Sequence, residues 1–431
     1  MDKLRFCFVT TFYPPYNFGG DGIGVQRLAR ALARRGHHVT VVSDMDAYAT
    51  LSPTLPPPPP QDENGVVEIR LQSRLGRVSS LLTQQSGRPI VHGQRLRQLM
   101  DDTPYDVVNF HNISLVGGPG VLSYGGAAAK IYMAHEHWLV CPSHVLWRHN
   151  RERCESRECF RCVLHYRRPP QLWRYTGYLD RALRQVDVFI AMSEFSRDKH
   201  HEFGFPHDME VVPYFLPDRD ATTAASTDAS PHHRPYFLFV GRLEKLKGLD
   251  DAIPAFRNYA GADLLIAGTG QHEPALRQLA VGNPQVRFLG NVPNHELDRY
   301  YRHAVALLVP SVGYETFGII LIEAFRQGTP VIARRIGPFP EIVSQAGAGE
   351  LFGSETELVD AMRCLQSDPA RRAAQAAAGR RAFVERWSEA AVVPKYLDVV
   401  AKALSRRDAR QRGLAPHIPQ SHARDSDLSL N

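Results

Sequence analysis

The chain has 431 residues, of which 43% are hydrophobic and 22% charged, so we exclude a chain that is mainly disordered, collagenous or coiled-coil. The length predicts two or three domains, and no apolar run approaches the roughly 18–20 residues of a membrane-spanning helix. The net charge of +6 favours anionic partners without distinguishing phosphates, anionic lipid and nucleic acid.

Short β-branched and aromatic runs alternate with helical patterns along the whole chain. In the first half, the predicted strands are 4–10, 39–43, 106–110, 130–134 and 186–193. In the second half, they are 236–240, 263–267, 286–289, 306–309 and 330–333. Alternation of strands and helices predicts an α/β fold with parallel sheets that are covered on both faces.

Changes in composition suggest where the domains begin and end. Residues 218–235 lose large apolar side chains and predict a linker, so we expect one domain at 1–217 and a second at 236–386. We expect 387–404 to form a helix that packs back on the first domain, and 405–431 to be a disordered tail.

Two further segments, the proline-rich 52–60 and the N-terminal 1–11, predict a surface loop and the location of the protein in the cell. The five successive prolines at the end of 52–60 predict an extended surface loop, because prolines offer no amide donors. Residues 1–11 resemble a strand and lack a cleavage site, so we expect a cytoplasmic protein.

Two glutamates flank the start of a predicted helix in the segment 310–328. Glu315 lies in the preceding loop, the helix begins near Gly318, and Glu323 has apolar neighbours that leave no polar face. A half-buried carboxylate is costly without a partner, which a ligand can supply. Up to ~12 Å separate the two carboxylates, and the amides of Thr316, Phe317 and Gly318 lie between them, where a helix start favours an anion.

A nucleotide diphosphate-sugar has matching chemistry, with hydroxyls at both ends and a pyrophosphate between them. Glu315 would then bind sugar hydroxyls and Glu323 the ribose diol; alternatively, Glu323 pairs with a structural arginine and Glu315 is a solvated loop residue. Arg242 and Lys247 follow the strand 236–240, at the sheet edge where parallel α/β sheets bind ligands. They could neutralise a diphosphate, or they could be solvated surface charges.

Taken together, these segments resemble retaining glycosyltransferase family 4, which has the GT-B fold. The resemblance covers the chain up to the tail, and the segments that carry it are FYPPYNFGGDGIG, GRLEKLKG, LLIAGTGQ, VRFLGNVP, ETFGIILIE and GTPVIARRIGPFPEIV. It implies two Rossmann-like domains that face a central cleft, a nucleotide-sugar donor and no required catalytic metal.

The resemblance also implies roles for individual residues on the donor side. Glu315 would contact the transferred sugar, Glu323 the ribose, and Arg242 and Lys247 the diphosphate. The remaining donor-site residues, mainly through their backbones, would be Gly19, Gly20, Gly268, Gly270, Val292, Thr316, Phe317 and Gly318. Ordinary turns explain the glycines at Gly268 and Gly270 equally well.

On the acceptor side, three residues follow predicted strands of the first domain. His111 resembles the family histidine near the sugar, although an isolated histidine is more often structural, and His135 and Glu136 could shape the acceptor pocket. In the family, the departing phosphate is thought to take the acceptor's proton, so no enzyme base is needed.

We therefore expect a retaining transfer of a hexose from a nucleotide-sugar, with UDP-sugar favoured, to a glycan, lipid-linked or small-molecule hydroxyl. An epimerase or phosphorylase of the same fold, and a non-enzymatic binder of polyanions or membranes, are the alternatives. We expect no nucleic-acid partner.

A cysteine-rich insertion at about 141–165 has the spacing C-x12-C-x4-C-x2-C. Its members Cys141, Cys154, Cys159 and Cys162 could close a structural zinc site, hold an iron–sulfur cluster or be unrelated free thiols.

The overlapping segment 148–184 carries ten arginines against four acidic residues. This patch could contact the anionic inner face of the cell membrane, or it could be an ordinary solvated surface.

Overall fold

The structure, a computed structural model, describes residues 3–52, 54–57, 65–217 and 229–413. It confirms the predicted α/β class, because two parallel sheets are each flanked by helices. The strands of the first domain are β1 (Arg5–Val9), β2 (His38–Asp44), β3 (Val66–Leu71), β4 (Val107–Phe110), β5 (Ala129–Ala134), β6 (Trp147–Arg148), β7 (Glu152–Arg153), β8 (Val188–Ala191) and β9 (Met209–Val211). Its helices are α1 (Gly20–Arg34), α2 (Met45–Leu51), α3 (Arg77–Ser86), α4 (Gly93–Asp101), α5 (Cys159–His165), α6 (Tyr178–Leu183) and α7 (Glu194–Glu202).

The first sheet has the parallel order β3-β2-β1-β4-β5-β8-β9. Its central strands are buried on both faces, which explains why they lack polar alternation. Helix α1 buries Val25, Leu28, Ala29 and Leu32 against this sheet, and the chain turns after the helix at Gly36, whose φ is +87°. The strands therefore all deliver their following loops to one edge of the sheet.

The second domain repeats this plan with the parallel order β12-β11-β10-β13-β14-β15. Its strands are β10 (Tyr236–Val240), β11 (Asp263–Ala267), β12 (Val286–Gly290), β13 (Ala306–Val309), β14 (Val331–Arg334) and β15 (Gly349–Phe352). Its helices are α8 (Leu249–Ala255), α9 (Glu273–Leu279), α10 (Asn294–His303), α11 (Ile319–Gln327), α12 (Phe339–Ala346), α13 (Glu355–Ser367) and α14 (Pro369–Ala382).

The last helix, α15 (Glu389–Gln411), returns to the first domain. Its Tyr396 hydroxyl accepts a hydrogen bond of 2.9 Å from Asn109 of β4, and its Arg410 lies 2.7 Å from Asp187. We expected a helix at 387–404, and the structure continues it past Leu404 to Gln411, so the first residues of the expected tail are helical rather than disordered. Residues 414–431 of that tail lie outside the described part of the chain.

The chain crosses between the domains at two adjacent places. Leu216 and Ser388 form an isolated parallel bridge, in which the Leu216 amide donates to the Trp387 carbonyl at 3.1 Å. In the predicted linker 218–235, residues 218–228 lie outside the described part of the chain. In the predicted proline loop 52–60, the same is true of residues 53 and 58–60. Among the described helices, none has the length and apolar character that crossing a membrane requires.

Candidate active site

A cavity of about 600 Å³ lies between the two domains. From the first domain, the loop after β1, the start of α1 and the segment after β5 line it. From the second domain, the segments that follow β10, β11, β12 and β13 line it, together with the start of α11. Both sheets therefore meet the cavity at the carboxyl ends of their strands, which is where α/β proteins bind ligands.

One carboxylate and one ammonium pair on the second-domain wall. Lys247 follows β10, and its Nζ lies 2.6 Å from Oε1 of Glu315 in the loop after β13. The Ser311 hydroxyl donates to the same oxygen at 3.0 Å. Both charged side chains are largely buried, with exposed fractions of 19% for Lys247 and 16% for Glu315. Both residues line the cavity, as expected, but they also form an ion pair with each other, which the sequence analysis did not predict.

Arg242 reaches the cavity from the same turn, but its side chain is more exposed to solvent than that of Lys247. Its side chain is 57% exposed, and its Nη1 lies 2.6 Å from Oε1 of Glu244. A carbon added at Gly19 would lie 3.9 Å from the Arg242 Nε, so the guanidinium faces the glycine loop of the other domain. Solvent and Glu244 both weaken the field that Arg242 adds to the cavity.

Glu323, one turn into α11, lines the cavity in a half-buried setting, as expected from its apolar neighbours. The Tyr301 hydroxyl donates to its Oε2 at 3.1 Å, and Nη2 of Arg27 lies 3.8 Å from its Oε1. Arg27 belongs to α1, so this ion pair joins the domains, and burial lowers the pKa of its guanidinium. The structural arginine that we considered for Glu323 is therefore present, while the carboxylate still faces the cavity.

The starts of two helices face each other across the cavity. Helix α11 follows Gly318, whose φ of +102° favours glycine, and α1 begins at Gly20. A carbon added at Gly20 would lie only 3.0 Å from Cδ1 of Ile319, so the two helix starts come very close. The first amides of a helix have no partner within it and favour anions, so both starts add positive potential here.

The loop before α11 is held to the first domain. The Thr316 hydroxyl donates to the His135 carbonyl at 2.8 Å, and the Ser193 hydroxyl donates to the Thr316 carbonyl at 2.7 Å. The rings of Phe317 and Tyr214 pack beneath, with centroids 5.8 Å apart. These contacts join the second-domain loop to the first domain, so the two domains are in direct contact at this wall of the cavity.

Glycines beside the cavity differ in what they do. Gly268 lines it with φ of +139°, and an added carbon would lie 1.9 Å from the Gly241 carbonyl oxygen, so only glycine fits. Gly270 is not among the lining residues, and it instead packs against the Leu243 backbone. Val292, which we expected in the donor site, does line the cavity.

Two family descriptions match successive parts of the chain. Residues 18–217 match Glycosyltransferase Family 4, and residues 222–382 match Glycosyl transferases group 1. The chain belongs to the GT-B family 4 glycosyltransferases.

Known proteins resemble this glycosyltransferase along nearly its whole length. Glycogen synthase of Mycobacterium tuberculosis is 28% identical, and the match covers 96% of this chain and 99% of that protein. Sucrose-phosphate synthase from Thermosynechococcus elongatus has a TM-score of 0.70 at 19% identity, with 94% and 100% of the two chains covered. Anabaena HepE in complex with UDP has a TM-score of 0.62 at 16% identity, with 92% and 100% covered. The two structures share the GT-B fold with this chain.

The histidines of this glycosyltransferase are arranged differently from our expectation. His135 lines the cavity, whereas His111 lies behind it, with its Nδ1 2.8 Å from the His135 Nε2. The other ring nitrogen of His135 is hydrogen-bonded to the Tyr214 hydroxyl. Burial lowers the pKa of His135 to about 3 and that of His111 well below its usual value, so both rings are neutral at pH 7. His111 therefore supports His135 rather than facing the cavity itself.

Sequence reasoning did not single out Asp21, which lines the first-domain wall. Burial and the nearby Glu136 charge raise its pKa to about 6, while the Gly22 amide, Asn112 and Arg242 oppose this shift. Glu136 lies 2.6 Å from Nδ1 of His144, and both also line the cavity. The signal available in the sequence was one acidic residue within the glycine-rich loop GGDGIG.

The four cysteines of the insertion line one small cavity of their own. The Cys154 thiol lies 3.3 Å from the Ser156 carbonyl oxygen, and burial together with the other thiols raises its pKa to about 12. Among the described residues, Asp44, Asp46 and His92 form a group whose potential metal-ligand atoms all lie within 4.8 Å of one another. The four cysteines do not form such a group. The sulfurs are thus not gathered at the spacing of a zinc site, and zinc remains only a prediction.

The predicted basic patch at 148–184 is partly neutralised. Arg148 lies within 3.0 Å of both Glu152 and Glu158, and the Arg174 guanidinium lies about 5 Å from the ring centroids of both Trp138 and Trp173. The patch is therefore not one uniform cationic face.

Proposed function

We propose that this glycosyltransferase is a retaining hexosyltransferase, which moves a hexose from a UDP-sugar to a hydroxyl of a glycan, lipid-linked or small-molecule acceptor. The observation that carries the proposal is that Glu315, Glu323, Arg242, Lys247 and the start of α11 line one cavity. The UDP bound in the structure of HepE supports UDP as the nucleotide.

The charges of the cavity suggest how the donor would lie. Lys247, Arg242 and the two helix starts would surround the diphosphate, whose negative charge grows as the sugar leaves. Glu323 and Val292 would lie at the nucleoside end and Glu315 at the sugar end. Carboxylates accept hydrogen bonds from hydroxyl groups, which both ribose and a hexose offer.

The hydrogen bonds and pKa of His135 bear on which group accepts the proton of the acceptor hydroxyl. Both ring nitrogens of His135 already have partners, and its pKa of about 3 makes it a poor base at neutral pH. The departing β-phosphate would therefore accept the acceptor's proton. Because that phosphate leaves from the face where the acceptor then attacks, the anomeric configuration would be retained.

Acceptor recognition would fall to the first-domain wall. Asp21 and Glu136 can accept hydrogen bonds from acceptor hydroxyls, opposite the second-domain wall that carries Lys247 and Arg242. We expect one acceptor hydroxyl to reach the sugar carbon from this side.

Thermal-shift measurements with UDP, GDP, ADP and their sugars test the donor site, because a ligand that binds only the folded state raises its melting temperature. We expect the largest rise with UDP compounds, and a smaller rise for Glu323→Gln. An acceptor screen should then find conditions in which an added hydroxyl compound speeds UDP release, and NMR of the product should show the donor's anomeric configuration. A product of inverted configuration, or no response to any nucleotide, would contradict the proposal.

A further inference from the structure

Helix α3 buries polar side chains and exposes apolar ones, the opposite of an ordinary surface helix. Its buried face carries the hydroxyl residues Ser79, Ser80 and Thr83, which are at most 3% exposed. Its outer face carries Val78, 50% exposed, and Leu81, 51% exposed. Surface helices normally bury their apolar face, so this orientation favours a second apolar surface over the outer side of α3.

Neighbouring side chains extend the same apolar surface. Leu75, just before α3, is 53% exposed, and Leu172 in the turn Leu172–Tyr175 is 63% exposed. That turn packs against α3, because the Trp173 indole donates to the Gln84 carbonyl at 3.0 Å. We call Leu75, Val78, Leu81, Leu82, Leu172 and Tyr175 the α3 surface.

Arginines surround the α3 surface, and the stretch of sequence that contains α3 has no acidic residue. Arg74, Arg77 and Arg88 lie at the two ends of α3, and the segment 71–100 contains five arginines and no aspartate or glutamate. On the other side, the exposed Arg167 and Arg168 precede Pro169, whose carbonyl accepts a hydrogen bond from Gln84. Apolar tips inside a cationic rim therefore characterise this surface.

We propose that the α3 surface docks on an anionic phospholipid bilayer. Leucine and valine side chains would enter the boundary between headgroups and acyl chains, the arginines would contact lipid phosphates, and Tyr175 would lie at the interface. The charge pattern favours lipid over a protein partner, because a bilayer presents anionic groups on every side of the embedded residues. This surface takes in only one end of the arginine-rich segment 148–184, namely Arg167, Arg168, Leu172 and Tyr175, and it does not depend on the identity of the sugar donor.

Flotation of the full chain with lipid vesicles, without donor or acceptor, tests this proposal. We expect binding to vesicles of phosphatidylcholine mixed with phosphatidylglycerol, and much weaker binding to phosphatidylcholine alone. The double substitution Leu81→Gln with Leu82→Gln should weaken binding by about tenfold or more, since two apolar contacts are lost. Val281→Gln is the matched control, because Val281 is 66% exposed but lies on the other domain.

Further variants keep the test decisive. Leu172→Gln leaves α3 intact and should also weaken binding, and Arg74→Gln with Arg88→Gln should weaken only the binding to anionic vesicles. Equal binding by the Leu81→Gln, Leu82→Gln variant and the Val281→Gln control, or no binding to anionic vesicles, would overturn the proposal. So would ultracentrifugation showing that the α3 surface instead joins two copies of the chain. UDP binding measured on the same samples reports separately on the proposed transferase function.

Discussion

Lys247 offers the sharpest test of how the cavity would bind a diphosphate. It is 19% exposed, and its ammonium group contacts Glu315 on the cavity wall. The substitution Lys247→Met keeps most of the side-chain volume and removes the charge. It also leaves the Glu315 carboxylate without its nearest cation, so the cavity becomes less favourable to phosphate for two reasons.

The expected magnitude follows from burial. A unit charge about 4 Å from a phosphate at a partly buried site contributes up to about 4 kcal/mol, so we expect Lys247→Met to weaken UDP binding by roughly 10²- to 10³-fold. Arg242 is 57% exposed and already paired with Glu244. We therefore expect Arg242→Gln to weaken UDP binding only about tenfold.

Isothermal titration calorimetry with UDP measures these effects without a known acceptor. Lys245→Met is the control, since Lys245 lies on the same turn but is exposed and does not line the cavity. Melting temperatures without ligand should show that all variants are folded. If Lys247→Met and Lys245→Met bind UDP with the same affinity, the placement of the diphosphate beside Lys247 is wrong.

Three further predictions concern stability and pH. Asp21→Asn should lower acceptor-dependent activity yet stabilise the fold above pH 6 by up to about 3 kcal/mol. The pKa of Asp21 is about 6 in the folded state against the ordinary 3.8, so the stability of the unsubstituted protein falls as pH rises between these values. Denaturation of both proteins at pH 4 and pH 7 would measure the difference. Gly268→Ala should destabilise by about 3 kcal/mol or prevent folding, because the added carbon meets the Gly241 carbonyl oxygen, whereas Gly76→Ala, with open space around it, should cost about 1 kcal/mol in the same urea titration. Tyr396→Phe should cost about 1 kcal/mol, since Asn109 loses its buried partner, and no change in the urea midpoint would contradict that role.

Much of the fold could be predicted from the sequence, because buried parallel strands are continuous apolar runs. All ten predicted strands are present, whereas the two-residue strands β6 and β7 were missed, and so were β3, β9 and β15 of the two large sheets. These three lie at the sheet edges, where strands are short or carry charged residues such as Glu68 and Arg70. Periodicity is weakest there, since such strands are only partly covered.

The site could be predicted in part, because the residues that bind an anion follow strands of one sheet in a fixed order. Glu315, Glu323, Arg242 and Lys247 met at one cavity as expected. The sequence named both His111 and His135, since both follow strands, and only packing shows that the His135 ring lies in front. Contacts between distant segments, such as Arg27 with Glu323, likewise depend on how the domains close.

The bridge between Leu216 and Ser388 makes the second domain an insertion within the first. Since α15 packs against β5 and β8, a fragment that stops at residue 217 would leave an apolar sheet face uncovered and should aggregate. The inserted domain has a core of its own on one face of its sheet, while the other face belongs to a core that it shares with the first domain. Both of its connections leave from one corner of the molecule, so we expect this corner to be the hinge about which the inserted domain swings. Opening of the cavity would therefore separate its far rim first.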